Sequence, residues 1–253
     1  MGINKVKKSY EEAVDDIFDG ATIMIGGFGG SGGLPGGLIW ALRNKGAKNL
    51  TIIGNFMGAP EPIRKQRIPP HGYVDCGILF ENKQVKKAIG AFPVTTAISF
   101  PVSPFEEQYV AGEVELEIMP QGTLAERIRA GGAGIGGFYT PTGVGTDFEK
   151  GKGKKIIDGK EYILELALKA DFALIRAYKA DPWGNLIYRE TSRTFNPVMA
   201  TAAKTTIVEV EEIVQVGELN PEAVVTPGIY VDRVVLTPED LPPGIIWRYE
   251  EAK

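Results

Sequence analysis

The first third of the chain alternates short apolar runs with segments of helical periodicity. Apolar residues fall on one side of residues 9–18, and an apolar run at residues 21–25 follows. A second helical pattern extends from Leu38 to about Lys45, before another apolar run at residues 50–53. Strands that alternate with helices in this way favour a parallel sheet that is covered on both faces. The pattern therefore predicts an α/β fold with a mostly parallel sheet flanked by helices.

The middle of the chain contains a strand pattern followed by a helix pattern. Residues 114–119 alternate as in a half-buried strand. A helix is predicted over residues 123–130, because Thr123 and Glu126 have the spacing of a capping box and Gly131 is a suitable stop.

The second half of the chain has further apolar runs. These runs predict strands at residues 162–166, 172–178, 185–188 and 206–210. Small residues at 199–204 predict a closely packed helix. We expect a single domain over residues 1–235 and a C-terminal extension over residues 236–253.

Composition and charge narrow the class of protein. The chain has 253 residues and a net charge of −4, whereas surfaces that bind nucleic acids or anionic membranes favour clustered positive charge. Cys76 is the only cysteine and His71 the only histidine, so neither a disulfide nor a cysteine–histidine metal site is expected. No apolar run reaches the ~18 residues that a membrane span needs. We expect a cytoplasmic protein with no bound metal.

A glycine-rich run joins the first predicted strand to the helix that follows. The run consists of Gly26, Gly27, Phe28, Gly29, Gly30, Ser31 and Gly32, with Pro35 shortly after it. Such a run lets backbone N–H groups turn toward an anion at the start of a helix, where Pro35 suits the first turn. Residues 27–32 also fit the dinucleotide pattern G-x-G-x-x-G. That interpretation needs an acidic residue after the second strand, where the sequence has Asn55 and Phe56; a plain tight turn is the other interpretation.

A second glycine-rich segment spans residues 131–146. Two glycine-rich loops suggest two walls of one site. Residues 150–160 contain five lysines interspersed with glycines and one aspartate. Because the charges of this segment are mixed with turn residues, we interpret it as a solvated hairpin and not as an anion site.

The ionisable side chains do not make up a complete hydrolytic site. A catalytic triad needs a nucleophile, a base and an orienting acid, but His71 lies in a loop-like Pro-Pro-His-Gly context and Cys76 is typical of a small buried residue. The candidate carboxylates are explained better by structural roles than by catalysis. They are Glu106, Glu107, Glu126, Glu209, Glu211 and Glu212. Glu209 alternates with valines and is expected on the polar face of a strand.

Two neutral amides remain as candidates for a site. Asn55 and Gln121 each follow a predicted strand, where α/β folds place their sites. An amide can donate a hydrogen bond to an oxyanion without transferring a proton. The structural alternatives are that Gln121 caps a backbone turn and that Asn55 adopts a left-handed turn conformation. From its residues alone, the chain offers donors and glycine loops but no evident nucleophile.

Longer motifs follow one another in a distinctive order. They are Gly26-Gly27-Phe28-Gly29 with Pro35, Pro120-Gln121-Gly122-Thr123-Leu124, Gly131-Gly132-Ala133-Gly134-Ile135, Phe138-Tyr139-Thr140-Pro141-Thr142-Gly143, Gly184-Asn185-Leu186 and Phe195-Asn196-Pro197. Together these motifs resemble the alpha subunit of family I CoA-transferases, which include the 3-oxoacid, acetoacetate and 3-oxoadipate CoA-transferases. The resemblance covers residues 10–235.

This resemblance implies an open α/β fold and a transferase that moves CoA from a donor such as succinyl-CoA to a short-chain or 3-oxo acid. It implies a covalent glutamyl-CoA thioester, with the nucleophilic glutamate on a separate beta subunit, so that this chain is inactive alone. The resemblance also implies substrate and oxyanion contacts at Asn55 and Gln121, and a CoA loop at residues 26–32. An α2β2 assembly is expected, with coenzyme A as a co-substrate and no tightly bound cofactor.

Two departures from the family pattern bear on the site. The glycine run has one residue more than the common form between Phe28 and Pro35, and Phe56 stands where relatives commonly have a second Asn or an Asp. An apolar ring there shrinks or dries the pocket for the acid. Two other functions stay open: a non-catalytic acyl-CoA-binding or regulatory module of the same fold, and a glutaconate- or sugar-related member of the wider superfamily.

Overall fold

The computed structural model describes residues 3–29, 32–61, 74–93 and 102–238. The helices are α1 (Tyr10–Val14), α2 (Gly36–Lys45), α3 (Gly77–Glu81), α4 (Pro104–Val110), α5 (Gln121–Gly132) and α6 (Asn196–Ala200). The strands are β1 (Thr22–Ile25), β2 (Leu50–Phe56), β3 (Val85–Phe92), β4 (Glu115–Ile118), β5 (Gly137–Thr140), β6 (Lys154–Ile157), β7 (Lys160–Leu166), β8 (Ala170–Ala180), β9 (Leu186–Ile187), β10 (Ala203–Ile213) and β11 (Arg233–Leu236). None of the helices in these ranges has the length and apolarity that crossing a membrane requires.

The main sheet is parallel apart from one short strand. Its order is β11-β10-β8-β1-β2-β3-β4, and β9 pairs antiparallel with the end of β8. The first strand, β1, lies between β2 and β8, so consecutive strands leave it in one direction and later strands lie on its other side. Such a change of direction is where open α/β sheets form a crevice at the carboxyl ends of their strands. The predicted α/β fold is confirmed.

Both faces of the main sheet are covered by apolar clusters. Ile23 and Ile25 of β1 point into one cluster, which includes residues of α1, α2 and α3, and Met24 between them points into the other, which includes residues of α5 and α6. Burying each of these side chains stabilises the fold by about 1.5–3 kcal/mol relative to leaving it exposed. A central strand of this sheet therefore has no solvent face.

A smaller sheet lies beside the main one. Its order is β5-β7-β6, with antiparallel pairing throughout. Asp158 (φ 48°) and Gly159 (φ 75°) form the turn between β6 and β7 with two positive φ angles, as tight hairpin turns require. Lys154 pairs with Glu149 and Glu161 in this exposed region. The predicted hairpin is present, but it spans residues 154–166 instead of residues 150–160.

Several predicted boundaries are wrong. The first helix ends at Val14 instead of residue 18, and Pro35 is the N-cap of α2 instead of a first-turn residue. The helix predicted over residues 199–204 ends at Ala200, because the Ala202 carbonyl already accepts a hydrogen bond from Ala170 of β8 at 3.1 Å. The chain is thereby drawn into β10.

The capping box predicted for α5 is absent. The helix begins at Gln121 behind Pro120, and Thr123 is a buried residue inside its first turn. Glu126 instead pairs with Arg129 at 2.7 Å. The helix also continues through Gly131 instead of ending there. This glycine is required by packing, because a Cβ atom at its position would stand 1.9 Å from the Leu168 carbonyl oxygen. The division into a domain at residues 1–235 and an extension stays a prediction, since residues 239–253 lie outside the described part.

Candidate functional site

The glycine loop leaves the carboxyl end of β1 as predicted. The Gly26 N–H donates to the Leu174 carbonyl of β8 at 2.9 Å. The Phe28 N–H donates to the Gly32 carbonyl at 3.1 Å, and the Gly32 N–H donates back to the Gly29 carbonyl at 3.2 Å. The described part of the loop is therefore a compact turn at the sheet crevice; Gly30 and Ser31 lie outside the described residues.

Packing explains some of the glycines but not Gly29. A Cβ atom at Gly26 would stand 1.9 Å from Asn196 Oδ1, and one at Gly33 would stand 2.3 Å from the Ser192 carbonyl. At Gly29 the nearest atoms would belong to the Phe56 ring, at an ordinary 3.6 Å. Gly29 thus faces the end of β2, and its N–H has no acceptor among the described residues. Among the described residues of the loop, Gly29 therefore has an N–H group that is available to a ligand.

Asn55 and Gln121 come together across two elements that are distant in sequence. Asn55 lies near the end of β2 and is only 4% exposed, while Gln121 is the first residue of α5. The Gln121 Nε2 atom donates to Asn55 Oδ1 at 2.7 Å. Neither structural alternative holds in this geometry: Asn55 lies within a strand, and Gln121 makes its side-chain bond to another amide.

Most N–H donors of the amide pair have no acceptor among the described residues. Each amide group has two N–H donors, and the pair uses only one of its four for the internal bond. No other hydrogen bond joins either side chain to the described residues. Which atom of an amide is nitrogen is assigned from the hydrogen-bond network, but exchanging the roles of Asn55 and Gln121 leaves the same number of donors. A negatively charged oxygen beside the pair would therefore find N–H groups already in place.

Glu209 contradicts its prediction as part of a polar strand face. It is fully buried in β10, where Leu38 N–H donates to its Oε2 at 3.1 Å and Gly37 N–H donates to the same carboxylate. Arg176 of β8 donates to its Oε1 at 2.6 Å. The physical reason for the error is that both faces of this central strand are covered.

The electrostatics of Glu209 follow from this environment. Burial raises the pKa of the Glu209 carboxyl, while Arg176 and the backbone N–H groups of Gly37 and Leu38 act in the opposite direction. All of these partners are donors, and arginine keeps its charge, so the cluster accommodates the carboxylate form. Glu209 therefore occupies the positive N-terminal end of α2, which has no side-chain cap of its own.

This arrangement excludes the dinucleotide interpretation of the glycine run. A pyrophosphate would have to bind the N-terminal N–H groups of the helix that follows the loop, but a carboxylate of the protein already accepts them. The end of β2 also presents Asn55 and Phe56 where the ribose would need an acid.

The other candidate residues have structural surroundings. Cys76 is buried, with its thiol donating to the Phe56 carbonyl at 3.1 Å, and Glu106 forms a capping box with Ser103. His71 lies outside the described residues. In the described ranges no group of three or more His, Cys, Asp or Glu side chains is placed to hold a metal ion.

The second glycine segment does not form a wall opposite the first in the contacts described. A Cβ atom at Gly132 would meet Thr201 Oγ1 at 2.0 Å, so this segment packs against the C-terminal end of α6. The first loop packs instead against Asn196, at the N-terminal end of the same helix. The two segments contact opposite ends of α6.

Comparison with known proteins decides the family. A sequence model of the coenzyme A transferase family matches residues 7–237. The chain is 50% identical over 233 residues to a 3-oxoadipate CoA-transferase subunit of Acinetobacter baylyi, and the match covers 92% of this chain and 95% of that protein. The chain belongs to the coenzyme A transferase family. The resemblance inferred from the motifs is confirmed.

Further relatives agree with this assignment. This CoA-transferase chain is 47% identical over 234 residues to a probable succinyl-CoA:3-ketoacid coenzyme A transferase subunit of Bacillus subtilis, covering 92% of this chain and 90% of that one. Among solved structures, a variant of the decarboxylase AibA/AibB has a TM-score of 0.74 and 27% identity, with 97% and 88% of the two chains covered. The transferase is thus much closer in sequence to the subunits of these CoA-transferases than to this decarboxylase. Because these relatives are named as enzyme subunits, the alternative of a purely regulatory module is not favoured.

Proposed function

We propose that this chain is the alpha subunit of an enzyme that moves CoA from an acyl-CoA donor such as succinyl-CoA to a short-chain or 3-oxo acid. The names of its relatives support the reaction class and these substrates. The observation that carries the proposal is the Asn55–Gln121 amide pair at the carboxyl end of β2. It supplies hydrogen-bond donors, and no described carboxylate or nucleophile bonds to it.

The reaction requires donors because every step passes through a tetrahedral oxyanion. A glutamate carboxylate attacks the thioester carbonyl of the acyl-CoA, and the CoA thiolate leaves to give a mixed anhydride. The thiolate then attacks the glutamyl carbonyl and expels the original acid as a carboxylate, which leaves a glutamyl-CoA thioester. The same two steps in reverse order transfer CoA to the incoming acid. Donors placed where the negative oxygen forms lower each barrier.

The chain supplies one side of this site. We assign the nucleophilic glutamate to a beta subunit, with which this chain forms an α2β2 assembly; the naming of its relatives as individual subunits supports a partner. Asn55 and Gln121 contact the substrate and the oxyanion. Gly26, Gly27, Phe28, Gly29, Gly30, Ser31 and Gly32 line the path of CoA, with Gly29 N–H directed to the thioester. A cytoplasmic location fits the presence of a single cysteine, which is buried.

The test is co-expression of this chain with a CoA-transferase beta subunit from the same organism. Transfer of CoA from succinyl-CoA to acetoacetate or 3-oxoadipate is followed by chromatographic separation of the CoA esters. The complex is expected to be active, and each chain alone is expected to be inactive. Incubation with acyl-CoA should also add a hydroxylamine-sensitive CoA adduct to the partner chain, detected by mass spectrometry.

The alternatives give different results in the same experiment. Activity of this chain alone would refute the placement of the nucleophile on the partner. Tight CoA binding without transfer to any acid would indicate an acyl-CoA-binding module, and release of carbon dioxide from an acyl-CoA acid would indicate a decarboxylase.

A further inference from the structure

A buried charge network lies behind the glycine loop and takes no part in the chemistry proposed above. Arg176 is 4% exposed and joins two carboxylates: its Nη1 atom donates to Glu209 at 2.6 Å and its Nη2 atom donates to Glu211 at 3.2 Å. Arg189 at the surface donates to the other oxygen of Glu211 at 2.8 Å. Buried ion pairs are costly to form, so a stabilising effect alone is a weak explanation for one at this position.

One end of this network holds the first turn of α2. The Glu209 carboxylate accepts hydrogen bonds from Gly37 and Leu38, which directly follow the glycine loop. The helix has no side-chain cap from its own N-terminal residues. The position of the helix start, and with it the end of the loop, therefore depends on a carboxylate that is 171 residues away in the chain.

Asn196 connects the same network to the loop itself. Its Oδ1 accepts a hydrogen bond from the Arg176 backbone N–H at 3.0 Å, and its Nδ2 donates to the Gly33 carbonyl at 3.0 Å. The same Nδ2 donates to the Ser192 carbonyl at 3.0 Å. Asn196 is fully buried, and Gly26 and Gly33 have no room for a side chain beside it.

The segment 192–196, which packs against the glycine loop, has a strained backbone. Thr194 has φ 37° and ψ −130°, a conformation that a β-branched residue adopts only when its surroundings impose it. Its Oγ1 lies 3.3 Å from Asn196 Nδ2 and shares one of the two N–H groups of that amide. Strain of this kind is concentrated at functional sites and ligand clamps.

We propose that Glu209, Arg176 and Asn196 are positioning residues for CoA transfer, which fix the glycine loop so that Gly29 stays against Phe56 at the end of β2. This inference rests on the proposed function. The three residues touch no substrate. They act through the loop, by fixing the Gly33 carbonyl at its end and the N–H groups of Gly37 and Leu38 at the helix start.

The experiment uses the complex of this chain with its beta subunit. The Glu209→Gln variant keeps the shape of the side chain, but one of its two accepting oxygens is replaced by an NH2 group, which only donates. The variant therefore loses the acceptor for either the helix or Arg176. In Asn196→Asp the acceptor for Arg176 is kept, and the donor to Gly33 becomes a repelling oxygen. Because a displacement of about 1 Å can lower a rate by 10²-fold, we expect kcat per folded complex to fall tenfold to a hundredfold, with a much smaller change in KM for the acid.

Glu165→Gln is the matched control. Glu165 is likewise buried, at 2% exposure, and forms an ion pair with Lys152, but it lies in β7 of the small sheet. This variant should lose stability and keep kcat per folded complex. Amide hydrogen exchange supplies a readout that is independent of activity: residues 32–40 should exchange faster in Glu209→Gln and Asn196→Asp, but not in Glu165→Gln.

The outcomes separate the two proposals. If the wild-type complex transfers no CoA, the proposed function is refuted. If the wild type is active and the variants keep its kcat per folded complex, only the positioning role is refuted, whatever their stability. Unchanged exchange at residues 32–40 would also refute the positioning role, because the loop would then be fixed without the network.

Discussion

Removal of the Gln121 amide is the most direct perturbation of the site. In Gln121→Ala the N–H donors of this residue are lost, while Asn55 stays in place at the end of β2. Loss of one oxyanion donor typically lowers kcat by 10²–10³-fold, about 2.7–4 kcal/mol. The same variant should also lose stability. Asn55 is only 4% exposed, and its Oδ1 atom loses the hydrogen bond that Gln121 donates at 2.7 Å. An unsatisfied buried acceptor costs about 1–3 kcal/mol of stability.

The two effects are measured separately. Urea unfolding of the complex reports the stability, and initial rates of CoA transfer report kcat and KM. Since Gln121 and Asn55 bond directly, their effects should not add: the double variant Asn55→Ala/Gln121→Ala should lose little more activity than the worse single variant. Independent donors would instead multiply their losses.

Gln108→Ala provides the control and sharpens the refutation. Gln108 Nε2 donates to the Phe80 carbonyl in a buried contact of α4 that lies outside the site, so this variant should lose stability and retain kcat. If Gln121→Ala keeps kcat within about threefold of the wild type, far less than the loss of a donor predicts, the role of the pair as an oxyanion site is wrong.

Three further perturbations test other parts of the structure. Gly26→Ala places a methyl group 1.9 Å from Asn196 Oδ1 and should lower the free energy of unfolding by about 1–3 kcal/mol or more; an unchanged urea midpoint would contradict this. Thr194→Gly relieves strain of order 1–3 kcal/mol and should raise the urea midpoint, so a fall would contradict the strained conformation. Burial tends to raise the pKa of Glu117, but hydrogen bonds from two basic groups outweigh it and hold this pKa below the ordinary 4.5. The stabilisation by Glu117 is therefore present above that value and lost as the pH falls below it, so the melting temperature of Glu117→Gln should approach that of the wild type on acidification. A difference in melting temperature that stays constant with pH would contradict this.

The fold class and the two candidates Asn55 and Gln121 could be predicted from the sequence because both predictions depend on local patterns. Alternating helices and strands define a parallel sheet, and the carboxyl ends of its strands lie along one edge, where residues that follow β2 and β4 come close to each other. Asn55 and Gln121 are 66 residues apart in sequence, yet form a hydrogen bond. What the pattern could not give is the distance of 2.7 Å, which depends on where α5 begins.

The errors share a different cause, which is tertiary packing. Glu209 alternates with valines as a solvent-facing residue would, but α1 and α2 cover that face. The sequence contains one signal: Arg176 and Glu209 are each the only charged residue within their predicted strands, residues 172–178 and 206–210. In the sheet these two residues are direct partners in register across β8 and β10. The two charges can be recognised as a pair only from the strand order, which places β8 beside β10.

The occupied helix end also bears on how the site favours the transition state. An acid substrate and an acid product are both carboxylates, and an open helix N-terminus would bind either in its ground state. Interactions made equally with the ground state and the transition state do not raise kcat. Because Glu209 already accepts the N–H groups of Gly37 and Leu38, the positive end of α2 is neutralised from within. Under the proposed function, the donors for the reacting oxygen are the Gly29 N–H and the amides of Asn55 and Gln121. Neutral donors of this kind interact more strongly with the localised negative charge of a tetrahedral oxyanion than with the delocalised charge of a free carboxylate.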